Sequence, residues 1–168
     1  MIIAAIVGSR KRSSVKGIED DGERSEIQSN DKFLINQVIS NLLNRYKSDL
    51  AVISCACDDG VGLIVKEICS ERAIKCAEMV WYFHGPKKWE PQESSKCYLG
   101  RSPAIIELAD VFAILVDDSR QGIAEDLLTR LRVLKQRHEN MSENGDRPYV
   151  VLDDRGRCVE EYKKGALL

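Results

Sequence analysis

RSPAIIELADVFAILVDDSRQGIAEDLL, residues 101–128, carries the signals of a short helix, a buried strand, a polar turn and the start of a long helix. Ser102 followed by Pro103 predicts a helix start, with a hydroxyl for the orphan N–H groups and a ring whose fixed φ suits a first turn. Residues 111–116 are six apolar residues in a row, the pattern of a strand buried on both faces of a parallel sheet. Asp117, Asp118 and Ser119 end that strand, and Gly122 opens a helix whose leading N–H groups have no internal partner. A strand that feeds a helix N-terminus through a polar turn is a ready anion site.

The same alternation extends outward from this stretch. Residues 2–7 form a continuous apolar run ending in Gly8-Ser9-Arg10. Residues 11–30 lack apolar periodicity and predict a long loop. Residues 31–46 carry an apolar stripe at helical spacing, made by Leu34, Ile35, Val38, Ile39, Leu42 and Leu43. A second strand is expected at 50–54 and a helix at 61–72, capped by Asp58 or Asp59. A third strand is expected within 75–83, centred on Met79, Val80 and Trp81. A polar loop with two prolines and Trp89 covers 84–100. The last long helix spans 122–139 with a buried stripe of Leu127, Leu128, Leu131 and Leu134, and a fifth strand covers 148–152. The tail after Asp153 is expected to turn at Arg155-Gly156 and finish as a short amphipathic end.

Strands alternating with helices imply parallel pairing through right-handed crossovers. The expectation is therefore an α/β fold: a parallel five-stranded sheet in order 3-2-1-4-5, with helices on both faces. It forms a single domain over residues 1–168, its core at about 1–152 and a short tail. Ligands in such sheets bind beyond the carboxyl ends of the strands where the winding reverses. That rule brings Gly8, Ser9 and Arg10 beside Asp117, Asp118 and Gly122, in a crevice between strands one and four.

Composition narrows the partners. With 25 basic and 27 acidic residues the net charge is -2, so no global field draws nucleic acid. Two local basic clusters stand out. Arg10, Lys11, Arg12 and Lys16 follow the first strand and are candidates to touch a ligand; Arg130, Arg132, Lys135 and Arg137 on the last helix are expected to be solvated. The six cysteines (Cys55, Cys57, Cys69, Cys76, Cys97 and Cys158) contain no Cys-x-x-Cys pair, and the two histidines are far apart in sequence, so no metal site is expected. The opening apolar run is too short for a secretory signal, and no run approaches membrane-spanning length. The expected setting is the cytoplasm, with free thiols and no membrane contact.

The residues also resemble a known family. IVGSR at the end of the first strand, a Ser-led turn after the second, Arg101-x8-Asp110 before the fourth, and the Gly122-x-x-Glu125-Asp126-Leu127 run are similar to the SLOG superfamily. That group includes the Lonely Guy phosphoribohydrolases, the DNA-processing protein A family and small stand-alone nucleotide-binding proteins. The aromatic, Pro-containing loop before Gly100-Arg101 looks most like the stand-alone branch. The resemblance implies a Rossmann-like domain that binds a nucleotide or nucleotide derivative, needs no cofactor and forms a homodimer. From the phosphoribohydrolase branch it implies catalytic roles for Arg101 and for Asp126 with its neighbour Glu125. Three departures stand against that chemistry. Val116-Asp117-Asp118 replaces a Pro-Gly-Gly, Ile123 replaces a threonine, and Cys55-Ala56 replaces a Gly-Gly.

Two functions stay open at this point: binding or sensing of a nucleotide-type small molecule, and N-glycosidic cleavage of a nucleoside monophosphate. Single-stranded DNA binding is a third, opposed by the near-neutral charge and the lack of a basic, aromatic-lined groove. Gly8 would permit close backbone approach, Ser9 would donate its hydroxyl, and Arg10 and Arg101 would present guanidinium forks to an anion. Glu125 or Asp126 would hydrogen-bond ribose hydroxyls. Trp89 and Tyr98 either stack on a base or pack their loop; His84 and His138 are expected to be structural or solvated.

Overall fold

Ile2, Ile3 and the small and branched residues that follow build β1 (Ile2–Gly8), the strand on which the sheet is centred. It pairs in parallel with β2 (Leu50–Cys55) on one side and β4 (Val111–Leu115) on the other. β3 (Lys75–Met79) extends the sheet beyond β2, and β5 (Tyr149–Leu152) extends it beyond β4, both in parallel. The computed structural model describes residues 1–9, 12–14, 18–55, 60–79, 96–117, 122–141 and 147–163.

Side chains alternate across the pleat, so β1 feeds two separate cores. Ala4 and Ile6 pack with Leu34, Ile35, Val38, Ile39, Leu42, Ile64 and Ile68, which belong to α1 (Asp21–Tyr46) and α2 (Gly60–Glu71). Ala5 and Val7 pack with Ile105 of α3 (Lys96–Leu108) and with Ala124, Leu127, Leu128 and Leu131 of α4 (Ile123–Met141). Helices thus cover both faces, and the two-sided burial explains the unbroken apolar runs in β1, β4 and β5.

The strand order β3-β2-β1-β4-β5 matches the expected one, but the sheet is larger and not wholly parallel. A sixth strand, β6 (Cys158–Tyr162), adds to β5 antiparallel, giving the order β3-β2-β1-β4-β5-β6. The segment expected as an amphipathic end is therefore a hairpin partner. Asp153 holds the turn: its carboxylate accepts from the N–H groups of Arg155 and Arg157 and from the Arg157 guanidinium, and Gly156 turns the chain at φ +74°.

Three further boundaries differ from expectation. α1 begins at Asp21, so the second half of the supposed loop is helical; residues 21–26 are exposed and display no apolar stripe. Its start is fixed by Asp20, whose side chain accepts the Glu23 N–H at 2.7 Å. β3 occupies 75–79 rather than being centred on Met79 to Trp81, and residues 80–95 lie outside the described set. Ser102 and Pro103 do not start a helix. α3 begins at Lys96 and carries Pro103 in its interior, forgoing one i→i−4 bond. Ser102 is buried.

Among the described residues no helix is long and apolar enough to cross a membrane. Cys55, Cys69, Cys76 and Cys158 are free thiols; Cys57 lies outside the described residues, as does the side chain of Cys97.

Candidate functional site

The sheet reverses its winding between β1 and β4, and the turns leaving those strands meet there. Ser9, 4% exposed, joins them. Its N–H donates to the Leu115 carbonyl at 2.9 Å, and its hydroxyl accepts the Asp117 N–H at 3.2 Å. Gly122, at φ +85°, turns the chain into α4, and its carbonyl accepts the Asp126 N–H. Ser9, Asp117 and Gly122 therefore share one end of the sheet. Arg10 and Asp118 lie outside the described residues, as do Trp89, His84 and the side chains of Arg101, Tyr98 and His138. Arg101 itself falls inside α3 instead of ahead of it.

Gly8 admits a close neighbour, and that neighbour is protein. A Cβ on Gly8 would stand 2.4 Å from Cγ2 of Val61, in the first turn of α2. The missing side chain lets α2 settle against β1.

Arg12 belongs to the early basic cluster whose members are candidates to touch a ligand. Instead it is buried with Asp31 of α1 as an ion pair at 2.5 Å. The fork is bidentate: Nε donates to both carboxylate oxygens and Nη2 to one of them. Nη1 reaches across the sheet end to the carbonyls of Val116 (2.5 Å) and Leu152 (3.0 Å). The Ser13 hydroxyl also donates to Asp31, and Ser13 holds a left-handed φ of 56°. The loop passes so close to α2 that a Cβ on Gly60 would stand 2.8 Å from the Arg12 carbonyl oxygen. One guanidinium thus ties the β1 loop, α1 and the carboxyl ends of β4 and β5 together. No spacing in the sequence points from residue 12 to residues 31, 116 and 152.

The first turn of α4 brings two acids to the same end of the sheet. Asp126 is engaged by Arg130 one turn on, at 2.9 Å. Glu125 lies within electrostatic reach of Arg132, but its Oε2 is buried and accepts no hydrogen bond among the described residues. A buried acceptor without a donor costs about 1–3 kcal/mol, and such exceptions concentrate where a further partner completes the set. Ser54, fully buried near the end of β2, has a second unpartnered oxygen. Arg12 is matched by Asp31 and Asp126 by Arg130, so the polar atom that the head of α4 leaves without a partner among the described residues is an acceptor, Glu125 Oε2. An acceptor of this kind suits a hydroxyl or amine donor better than a bare phosphate.

The basic cluster on α4 is not simply solvated. Arg132 grips the Glu160 carboxylate of β6 through Nε and Nη2, Lys135 lies over the Tyr162 ring, and the Tyr149 hydroxyl donates to Glu160 at 2.6 Å. The Arg132 hydrogen bond holds the Glu160 carboxyl below the usual carboxylate range against the opposing effect of burial, with Tyr149 helping. Burial, then the Glu160 bond, push the Tyr149 hydroxyl up. No group of three His, Cys, Asp or Glu able to hold a metal occurs among the described residues.

Comparison of the chain with protein-family models, with curated proteins and with solved structures finds no match.

Proposed function

We propose that the protein binds a nucleotide or nucleotide-derived small molecule in the crevice between β1 and β4, as a SLOG-like domain would. The observation that carries this reading is Glu125 Oε2, buried and without a hydrogen-bond partner among the described residues, in the first turn of α4, the helix that follows β4. A ribose presents adjacent hydroxyl donors of the kind that oxygen lacks. Binding is favoured over N-glycosidic cleavage because Val116-Asp117-Asp118, Ile123 and Cys55-Ala56 stand where the phosphoribohydrolase pattern has Pro-Gly-Gly, threonine and Gly-Gly.

Calorimetric titration with nucleoside monophosphates and their 2′-deoxy counterparts tests the reading. A charge-assisted bond of about 1.5–3 kcal/mol corresponds to about a ten- to a hundredfold change in affinity. Glu125→Ala is expected to weaken ribonucleotide binding by that factor, and the deoxy ligand to lose the same factor on wild type. Stability should move the other way. Removing the unpartnered oxygen relieves about 1–3 kcal/mol and forfeits about 0.3–1 kcal/mol of favourable helix-dipole interaction, so the melting temperature should rise. Equal affinities for both proteins overturn the assignment of Glu125. Release of free base during incubation would restore the cleavage reading.

A further inference from the structure

Away from the crevice, two cysteines meet where α2 hands the chain to β3. Cys69 lies in the last turn of α2, and Cys76 is the second residue of β3. Between them the chain reverses at once. The N–H groups of Arg72, Ala73 and Ile74 donate back to the carbonyls of Ile68, Ser70 and Cys69, and Ala73 takes a left-handed φ of 52°. Side chains alternate along β3, and Ile74 and Cys76 both pack against the core that holds Cys69. Two contacts then join helix and strand. Lys66, one turn before Cys69, pairs with Glu78, two residues after Cys76, at 3.1 Å. Next to that pair, the Cys69 thiol donates a hydrogen bond to the Cys76 sulfur.

The two thiols are not equivalent. Cys69 is fully buried, whereas Cys76 is partly exposed on the outermost strand of the sheet. The hydrogen bond from Cys69 holds the Cys76 thiol below its ordinary range, against burial and the Glu78 charge and with help from Lys66. The same bond, then burial, push the Cys69 thiol up. The thiolate is the reactive form of cysteine, so Cys76 is the sulfur that reacts first and Cys69 its protonated neighbour. An accessible thiolate beside a second thiol is the arrangement that makes cysteine oxidation reversible. Cys158 offers a contrast: it is more exposed, and its sulfur meets the Glu160 carbonyl rather than a thiol.

We propose that Cys69 and Cys76 form a reversible disulfide when a hydroperoxide oxidises Cys76. With hydrogen peroxide, the Cys76 thiolate attacks one oxygen and the O–O bond breaks. The departing hydroxide takes up the proton that Cys76 has released, giving water and a sulfenic acid. The Cys69 sulfur then attacks the Cys76 sulfur. The S–S bond forms, the S–O bond breaks, and the Cys69 proton leaves with the hydroxyl group as a second water. Two thiols lose two electrons, and one peroxide is reduced to two waters. The bridge fastens the end of α2 to β3, whatever occupies the crevice.

Peptide mapping of the native full-length protein tests this. After treatment with hydrogen peroxide, the protein is alkylated in denaturant and digested with trypsin without reductant. Cleavage at Lys66, Arg72, Lys75 and Lys87 places the two cysteines on separate peptides, 67–72 and 76–87. These should appear joined, and dithiothreitol should part them. Cys76 should be consumed before Cys158, the reverse of their order of exposure. Glu78→Gln, a change at the surface that removes the opposing charge, should speed bridge formation about two- to fivefold. Cys69→Ala, its fold verified by circular dichroism, leaves no resolving thiol and should carry Cys76 on to sulfinic acid. The proposal is overturned if both peptides are recovered alkylated after peroxide has consumed Cys158. A bridge from Cys76 to any cysteine other than Cys69 overturns it equally.

Discussion

Arg12 is the residue whose loss the fold should feel most. Its charge and that of Asp31 are both removed from water, so truncating one leaves the other uncompensated, at a cost of about 3–5 kcal/mol. Arg12→Ala also strips the Val116 and Leu152 carbonyls of a donor. Urea denaturation should therefore show the midpoint falling steeply for Arg12→Ala. Arg12→Met combined with Asp31→Leu should recover the part due to the uncompensated charge, because a buried pair replaced by packed apolar groups is often neutral, and leave the part due to the two carbonyls. Gly8 gives a second expectation at this scale. Gly8→Ala forces a methyl into Val61, and overpacking costs about 1–3 kcal/mol; Val61→Ala in the same chain should relieve it, a coupling measurable by a double-mutant cycle. The sequence brought Gly8 and Ser9 beside the end of β4, where Gly8 pairs with Leu115 and Ser9 meets Asp117, since strand-end turns at a winding reversal must converge. It could not single out Arg12, because a run of basic residues looks the same whether it is solvated or one member is buried.

Among the elements, β6 was the least legible. CVEEY has no alternation that separates a strand from a tail, and its pairing depends on contacts from elsewhere. Arg132 and Tyr149 hold Glu160, and the Tyr149 and Tyr162 rings lie 5.9 Å apart. This attachment should be sensitive to acid. A carboxyl whose folded-state affinity for protons is depressed contributes stability above its unfolded pKa and loses it as the pH falls through the folded value. Glu160 is such a group, so β6 amides should lose hydrogen-exchange protection as the pH drops below the usual carboxylate range. Glu160→Gln should flatten that dependence. α1 was under-read for a related reason: its first turns rest on the Asp20 cap and face solvent, so periodicity registers only where the helix meets the sheet. In α3 the tertiary setting overrode a local signal, and a proline read as a start lies mid-helix.

At the level of the whole molecule, order and direction of the first five strands followed from the sequence because parallel sheets demand apolar runs and right-handed crossovers, and few arrangements satisfy both. What the runs could not encode is the closure of the sheet end, which joins side chains and carbonyls 19, 104 and 140 positions apart. That closure carries a timetable. During synthesis a chain emerges from its N-terminus and folds as its parts become available, and Arg12 is made before all of its partners. Its Asp31 partner follows soon after, but the Leu152 carbonyl comes only with β5. Until then the guanidinium is half-engaged. Contacts formed after the main barrier slow unfolding without speeding folding, so Arg12→Ala should raise the unfolding rate in stopped-flow measurements and leave the refolding rate nearly unchanged. The same residue that fastens the finished sheet then acts as a latch that only a chain extending through β5 can close, and a nascent chain stopped short of residue 149 should remain open to proteases at the β1 loop.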